Sequence, residues 1–340
     1  MIKDTIARLL AGEDLDRSEA YEVMGEIMRG EATQAQIGGF LVALRAKGET
    51  VDEITGCAEA MREHVLPVHP TRDDVVDVVG TGGDGARTFN ISTVAAVVAA
   101  AAGAAVAKHG NRAVSSQSGS ADVLEALGFE LELPPERIAD SIDRLGFGFM
   151  FAPAHHPAMR HAAPVRRELG TRTVFNLLGP LTNPAGARAG IFGVYAPELV
   201  RTVADVLAAL GTRRAFVVHG AHGIDELSPA GTNEVCEVVD GVVSERTIDP
   251  VELGLERCDP EELTGGTAAD NAHVARDILA GTRGAKRDAV LLNAAGAIAA
   301  SGHAADLRDG LELAVETVDS GRAAERLEEL VAFSNRAVSR

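Results

Sequence analysis

The chain is poor in cysteine, lysine and net positive charge, and it has no long apolar run. Three cysteines, Cys57, Cys236 and Cys258, stand far apart with no C-x-x-C pair among them. An odd, widely spaced set argues against a disulfide framework or a structural zinc site and fits a reducing compartment. Only Lys3, Lys47, Lys108 and Lys286 are lysines, so arginine carries nearly all the positive charge. Acids outnumber bases by 50 to 32, for a formal net charge of −18. A surface of that sign repels nucleic acid and anionic membranes, and neither is expected as a partner. A salt-rich habitat or a plain compositional bias would each leave this pattern. The longest apolar stretch, near 94–107, is mostly alanine and is broken by Gly103, which argues against a membrane-spanning helix. The opening MIKDTIARLLAGEDLD lacks the basic flank, apolar block and cleavage site of a secretory signal. The expectation is a cytoplasmic protein.

What is present suits a soluble α/β protein. The 340 residues are 46% hydrophobic and 24% charged, enough for one large domain with a smaller one attached. Up to about residue 66, DTIARLLAG, SEAYEVMGEIMRG, TQAQIGGFLVALRAKG and TVDEITGCAEAMREHV all carry apolar residues at helical spacing. Each opens near Asp, Ser or Thr, and the first three end at Gly. LPVHPTRDD then reads as a linker. From residue 75 the rhythm becomes strand, loop, helix. VVDVVG is a buried strand, ISTVAAVVAAAAG a helix, AAVAKHG a strand and SADVLEALG a helix. PPERIADSIDRLG continues as a helix and FGFMFAP as a strand. HPAMRHAAPVRRELG is partly helical, with Pro164 expected to distort it. AGIFGVYAP, the helix PELVRTVADVLAALG and the strand RRAFVVHG follow. EVCEVVDGVVSERTI predicts a hairpin turning at Asp240-Gly241, and the tail from about 267 is helical. The predicted architecture is a small all-helical domain over 1–70 and a large α/β domain over 71–340. The large domain has a mostly parallel central sheet flanked by helices, and later helical segments are free to join the small one.

Two strand–loop–helix units stand out. VVDVVGTGGDGARTFNIST runs from a strand through Gly80, Gly82, Gly83 and Gly85 to a helix opening near Ser92. Glycines let backbone N–H groups approach an anion, and a helix N-terminus adds donors and a favourable dipole. Alone, such a turn reads equally well as a tight βα connection; it is neither a Walker loop nor a Rossmann fingerprint. The next strand ends in Lys108 and Arg112, at the strand terminus where open α/β sheets bind ligands. Ser115, Ser116, Ser118 and Ser120 add hydroxyls before a second helix. Two adjacent polar turns, one of them basic on a strongly acidic chain, suit a ligand with more than one phosphate.

GTGGD, NIST, KHGNRAVSSQSGSADVLEALG, HPAMRHAAPVRRELGTRTVFNLLGPLTNPA and GIDELSP together resemble the anthranilate phosphoribosyltransferase family of tryptophan biosynthesis. The likeness spans nearly the whole chain. It implies transfer of the 5-phosphoribosyl group of phosphoribosyl pyrophosphate (PRPP) to the amino group of anthranilate, with release of pyrophosphate. It also implies Mg²⁺, two ions per monomer, and a homodimer formed through the helical domain. By resemblance, Gly80, Gly83, Asp84, Thr88, Asn90, Ile91, Ser92 and Thr93 line the PRPP site. Lys108, His109, Gly110, Asn111, Arg112, Ala113, Val114, Ser115, Ser116 and Ser120 complete it. Asp225 and Glu226 become metal ligands, although adjacent loop acids are more often solvated surface, and the Ser92 hydroxyl holds a further ion. Arg166 takes the anthranilate carboxylate, as a guanidinium fork suits that group. Gly80, Asn111, Pro153, His156 and Gly179 share the anthranilate site. Arg167 is not separable from Arg166 by pattern alone.

The implied chemistry is ionisation at ribose C1, with pyrophosphate leaving and an uncharged amine attacking from the opposite face. Lys108 and Arg166 carry the catalytic assignments. No Ser–His or Cys–His pair in a convincing motif is present, and an amine needs none. Two other readings compete: a pyrimidine nucleoside phosphorylase of the same fold, and a non-catalytic nucleic-acid binder. VRRELG, NLLGPLTNPA and the acids of GIDELSP disfavour the first, and the acidic charge disfavours the second.

Overall fold

A computed structural model describes residues 1–113 and 117–338. Four helices come first: α1 (Ile2–Leu10), α2 (Arg17–Met28), α3 (Gln34–Lys47) and α4 (Val51–Glu63). Asp16 with Glu19, Thr33 with Gln36, and Thr50 with Glu53 form reciprocal capping boxes on α2, α3 and α4. Each box satisfies two otherwise orphaned backbone donors, so the polar residues at the expected starts are what begin these helices.

The α/β part alternates as its pattern requires. β1 (Val75–Gly80) leads to α5 (Ile91–Ala101), and β2 (Ala105–Gly110) leads to α6 (Ser120–Ala126). Next come α7 (Pro135–Leu145), β3 (Phe147–Phe151) and α8 (Ala152–His155). α9 (Ala163–Leu169), α10 (Phe175–Leu181), β4 (Ala189–Gly193) and α11 (Leu199–Ala209) follow. β5 (Arg214–His219) precedes the hairpin of β6 (Asn233–Val239) and β7 (Val242–Ile248). The chain closes with α12 (Ala268–Leu279), α13 (Ala285–Ser301), α14 (Leu307–Asp319) and α15 (Arg322–Val338).

The seven strands form one sheet in the order β3-β2-β1-β4-β5-β6-β7. β3, β2, β1, β4 and β5 run parallel, and β6 and β7 add an antiparallel edge. The hairpin turns at Asp240 and Gly241, with φ of 47° and 82°, the left-handed pair a tight turn requires. Alternating strand residues face two cores. Val76, Val78, Ile191, Phe216 and Val218 join a core with α5, α13 and α15. Phe192, Val194, Ala215 and Val217 join a core shared with α1–α4, α10 and α11.

Two local expectations change. Pro164 does not distort a helix, because the segment divides into a short 3₁₀ turn at Pro157–His161 and α9, placing Pro164 in the first turn of α9. There its missing N–H breaks no hydrogen bond. The strand expected over FGFMFAP stops at Phe151, and residues 152–155 form a helical turn instead.

Candidate active site

Three segments meet at the carboxyl ends of the parallel strands: the turn after β1, the end of β2, and the loop after β5. Gly82, Gly83 and Gly85 have φ of 67°, 70° and 79°, which open the turn to its left-handed path. The Gly82 N–H donates to Asp225 Oδ2 at 2.6 Å. The Ser92 N–H, in the first turn of α5, donates to Glu226 Oε1 at 2.8 Å. Thus both acids of GIDELSP touch the glycine turn and the helix it feeds. Asp84 joins them, its Oδ2 accepting from the Asp225 N–H at 3.3 Å. A side chain at Gly80 would strike the Asp225 carboxylate, and one at Gly193 would strike the Asp225 backbone carbonyl. Glycine at both positions is what lets this loop close onto the strand ends.

Lys108 reaches the same place from β2. It is 2% exposed, and its Nζ donates to the Val78 carbonyl at 2.5 Å and lies 3.4 Å from Ser92 Oγ. Burial lowers its pKa to about 8, against the pull of Asp77, Glu226 and Asp225. The acids move the other way. Burial, then the Asp84 charge, raises Asp225 to about 7; burial and the Asp225 charge push Glu226 well above its ordinary value. Carboxylates held this close resist ionising together, and a divalent cation would relieve them. The donor set of Asp225, Glu226 and the Ser92 hydroxyl is all oxygen, which fits Mg²⁺. Among the described residues no group of three or more His, Cys, Asp or Glu side chains could hold a metal by itself. Mg²⁺ characteristically completes such a set with waters and substrate phosphates.

The second turn is braced by its own helix. The Asn111 N–H donates to Ser120 Oγ at 3.1 Å, and that hydroxyl lies 3.2 Å from the Asn111 carbonyl. Asp122 Oδ2 accepts from the Ala113 and Gly119 N–H groups, both at 2.9 Å. Arg112 Nη1 is 3.0 Å from Asp122 and 2.8 Å from Glu125, so this guanidinium is tied to α6. A side chain at Gly110 would meet Ser120 Oγ and the Phe149 ring. Val114, Ser115 and Ser116 lie outside the described residues. Asn90 Nδ2 donates to the Ser118 carbonyl at 3.1 Å, linking the two turns. Thr93 and Ile91 are buried in α5, and Thr88 bridges to Thr264.

Two histidines pack together at the end of β2 and beyond α8. The His109 and His156 rings lie 4.9 Å apart, and His109 Nδ1 is 3.3 Å from the Gly179 carbonyl. Burial lowers His109 to about 3 and His156 to about 4, so both imidazoles are neutral near pH 7. Among the described residues, their buried Nε2 atoms have no hydrogen-bond partner. A side chain at Gly179 would meet nothing within 4 Å, and Pro153 is exposed on α8. Arg166 is half-buried over the Phe175 ring, 5.1 Å from its centroid, and burial holds it below its ordinary pKa. Arg167 is exposed. The structure therefore separates two arginines that pattern alone could not.

Sequence reasoning missed three participants. Arg172 donates to the Gly83 carbonyl and stacks 4.1 Å over Tyr195, joining the segment between α9 and α10 to the glycine turn. Asn271 donates to Asn90 Oδ1 at 2.9 Å. Asp77 is wholly buried in β1; its signal was an acid inside the valine run VVDVVG.

Residues 72–324 match the glycosyl transferase family α/β domain, and residues 3–65 match that family's helical bundle domain. The anthranilate phosphoribosyltransferase of Moorella thermoacetica is 54% identical over 333 residues, 98% of each chain. The chain belongs to the anthranilate phosphoribosyltransferase family. A second relative with that name, from Anaeromyxobacter dehalogenans strain 2CP-C, is 56% identical over 332 residues, again 98% of each. The crystal structure of anthranilate phosphoribosyltransferase from Thermus thermophilus is similar at a TM-score of 0.93 and 51% identity, over 98% of this chain and 99% of that one. The Saccharomyces cerevisiae enzyme in complex with PRPP and Mg is similar at 0.89 and 28%, over 98% of each chain. Family membership thus rests on both domains and on the full length. Among the described residues no helix is long and apolar enough to cross a membrane.

Proposed function

We propose that the chain transfers the 5-phosphoribosyl group of PRPP to the amino group of anthranilate, releasing pyrophosphate, as a step toward tryptophan. The observation that carries this reading is the meeting of Lys108, Asp225 and Glu226 at the glycine turn and the start of α5. PRPP lies across the turns 80–93 and 108–120, its diphosphate met by backbone N–H groups, hydroxyls and the Lys108 ammonium. Asp225, Glu226 and Ser92 would hold Mg²⁺, two ions per monomer on our reading, and when bound the metal supplies positive charge beside the departing pyrophosphate.

As the C1–oxygen bond breaks, negative charge grows on the leaving group. A buried ammonium pre-positioned by Val78 meets that charge without reorganising, an effect worth about 10²–10³ in turnover for one such donor. Anthranilate binds with its carboxylate on Arg166 and its ring beside Asn111, Pro153, His156 and Gly179. His109 and His156 are too weakly basic to take a proton near pH 7, and they present neutral faces to the ring. The amine lone pair attacks C1 from the side opposite the pyrophosphate, and the ammonium so formed loses its proton to solvent.

The same reading divides the chain into a helical domain over 1–70 and an α/β domain over 71–340, and places the enzyme in the cytoplasm as a homodimer. The exposed Leu10 of α1 and Val42 of α3 support an interface on the helical side. A pyrophosphate-release assay tests the activity. Release should require PRPP, anthranilate and Mg²⁺ together, and uridine with phosphate should yield no product. Phosphorolysis of uridine without PRPP-dependent release would overturn the reading in favour of a nucleoside phosphorylase.

A further inference from the structure

The main-chain ladder between β1 and β2 stops just before the site. Their ladder pairs only Val75 with Ala105 and Val76 with Val106. On their other sides β1 stays paired with β4 as far as Gly80, and β2 with β3 as far as Gly110. Beyond Val76 and Val106, side chains take over the role of the main-chain ladder. The His109 N–H donates to Asp77 Oδ1 at 3.3 Å, and the Val78 carbonyl accepts from Lys108 Nζ at 2.5 Å. Asn183 Nδ2 donates both to Asp77 Oδ2 at 2.6 Å and to the Ala107 carbonyl at 2.8 Å. Asn183 is itself held, its Oδ1 accepting from the Ala185 N–H at 2.9 Å.

Asp77 is 0% exposed and Asn183 7%. An acid in the middle of a valine strand costs free energy unless its oxygens are satisfied. Asp77 has its oxygens satisfied by neutral donors: Asn183, the His109 N–H and the Val78 N–H at 2.8 Å. Burial raises its pKa to about 6, a cost the strand would escape with valine at this position. The pair is therefore an expense that the fold alone does not explain. Where the ladder stops, the Lys108 ammonium crosses from β2 to the Val78 carbonyl of β1 beside Ser92.

We infer that Asp77 and Asn183 are positioning residues: they bridge β1 and β2 where the main-chain ladder stops and so set where Lys108 meets the diphosphate of the phosphoribosyl donor. This rests on the reaction proposed above. Neither side chain touches substrate; both act through Lys108 and the main chain of His109.

The test uses the full chain, with steady-state kinetics for PRPP and anthranilate and calorimetric binding of PRPP with Mg²⁺. Asp77→Asn sets two amide donors against each other across the seam. It should lower kcat about 10–100-fold and weaken PRPP binding several-fold, while the anthranilate KM stays within about twofold. Asn183→Ser, which leaves the acid in place, should shift the same quantities in the same direction by less. In a Lys108→Met background, Asp77→Asn should leave PRPP binding unchanged, because the group it positions is gone. An equal loss of PRPP binding in both backgrounds would overturn the inference, as would an unchanged kcat or a rise confined to the anthranilate KM. Far-UV circular dichroism checks folding, and if neither variant folds, the pair belongs to stability and the inference is lost. A wild-type chain without PRPP-dependent turnover would instead sink the proposed reaction itself.

Discussion

Arg166 offers the sharpest quantitative prediction, because the structure sets it against a neighbour of the same type. Its guanidinium lies half-buried over Phe175, and no ion pair to an acid is formed by it among the described residues. Arg167, one residue on, is exposed. A half-buried cation without an acid partner is held ready for an anion from outside. A charge-assisted hydrogen bond is worth about 1.5–3 kcal/mol, and each 1.4 kcal/mol is about tenfold. Arg166→Gln should therefore raise the anthranilate KM roughly 10–100-fold, with the PRPP KM within about twofold. Arg166→Lys keeps the charge but loses the planar fork, and should recover only part of that loss. Arg167→Gln should leave every constant within about twofold. Stability points the other way: burial holds Arg166 below its ordinary pKa, so Arg166→Met removes a desolvated charge and Tm should stay level or rise. Initial rates followed by loss of anthranilate fluorescence, with a thermal melt on each variant, decide the matter. Equal effects at 166 and 167, or a large drop in Tm for Arg166→Met, would refute the assignment.

Three more expectations concern the rest of the site. Lys108→Ala should lower kcat by about 10²–10³ while changing the anthranilate KM far less, measured by the same fluorescence assay. Asp225 has a raised pKa of about 7, so it destabilises the metal-free fold increasingly as pH rises from the ordinary carboxylate range through 7. Asp225→Asn should accordingly raise the Tm measured in chelator at pH 8, and abolish the further rise that PRPP with Mg²⁺ gives the wild type. His156 is depressed to about 4, so its neutral form contributes stability above the ordinary imidazole value, and this is lost as pH falls toward 4. The displacement corresponds to roughly 3 kcal/mol, and urea midpoints at pH 7 and pH 4.5 should fall less steeply for His156→Gln than for wild type.

The strand–helix rhythm was legible because each unit obeys a local rule. The β-branched run VVDVVG became β1, the small apolar run before Lys108 became β2, capping residues opened α2–α4, and Asp240-Gly241 turned the hairpin. Strand order was not legible: β4 lies beside β1 because of how crossovers pack, which no single segment encodes. α10 was hidden because FNLLGPL holds a glycine and a proline, and burial of Phe175, Leu177, Leu178 and Leu181 overrides those poor helix formers. In the site, the glycine turn and Lys108 could be picked out from residue type and place along the chain, whereas the acidic pair stood out only through the family resemblance, because adjacent loop acids are more often surface. That Arg166 rather than Arg167 is half-buried, and that Arg172 reaches the glycine turn, depends on which side of a short helix or loop faces inward, and spacing does not say. Arg112 reads as a phosphate cation from its place after β2, yet its head group bonds Asp122 and Glu125, partners supplied by a helix ten and thirteen residues on. Asp77 was overlooked because one acid in an apolar run gains meaning only when the ladder to the neighbouring strand is seen to stop beside it.

The central claim is that two adjacent turns and the acids after β5 grip one molecule of PRPP. A crystal structure of the chain with PRPP and Mg²⁺ tests it directly. The account predicts the pyrophosphate between the glycine turn and Lys108, with metal density against Asp225 and Glu226. Donor density away from Lys108, or metal bound without either acid, would contradict it.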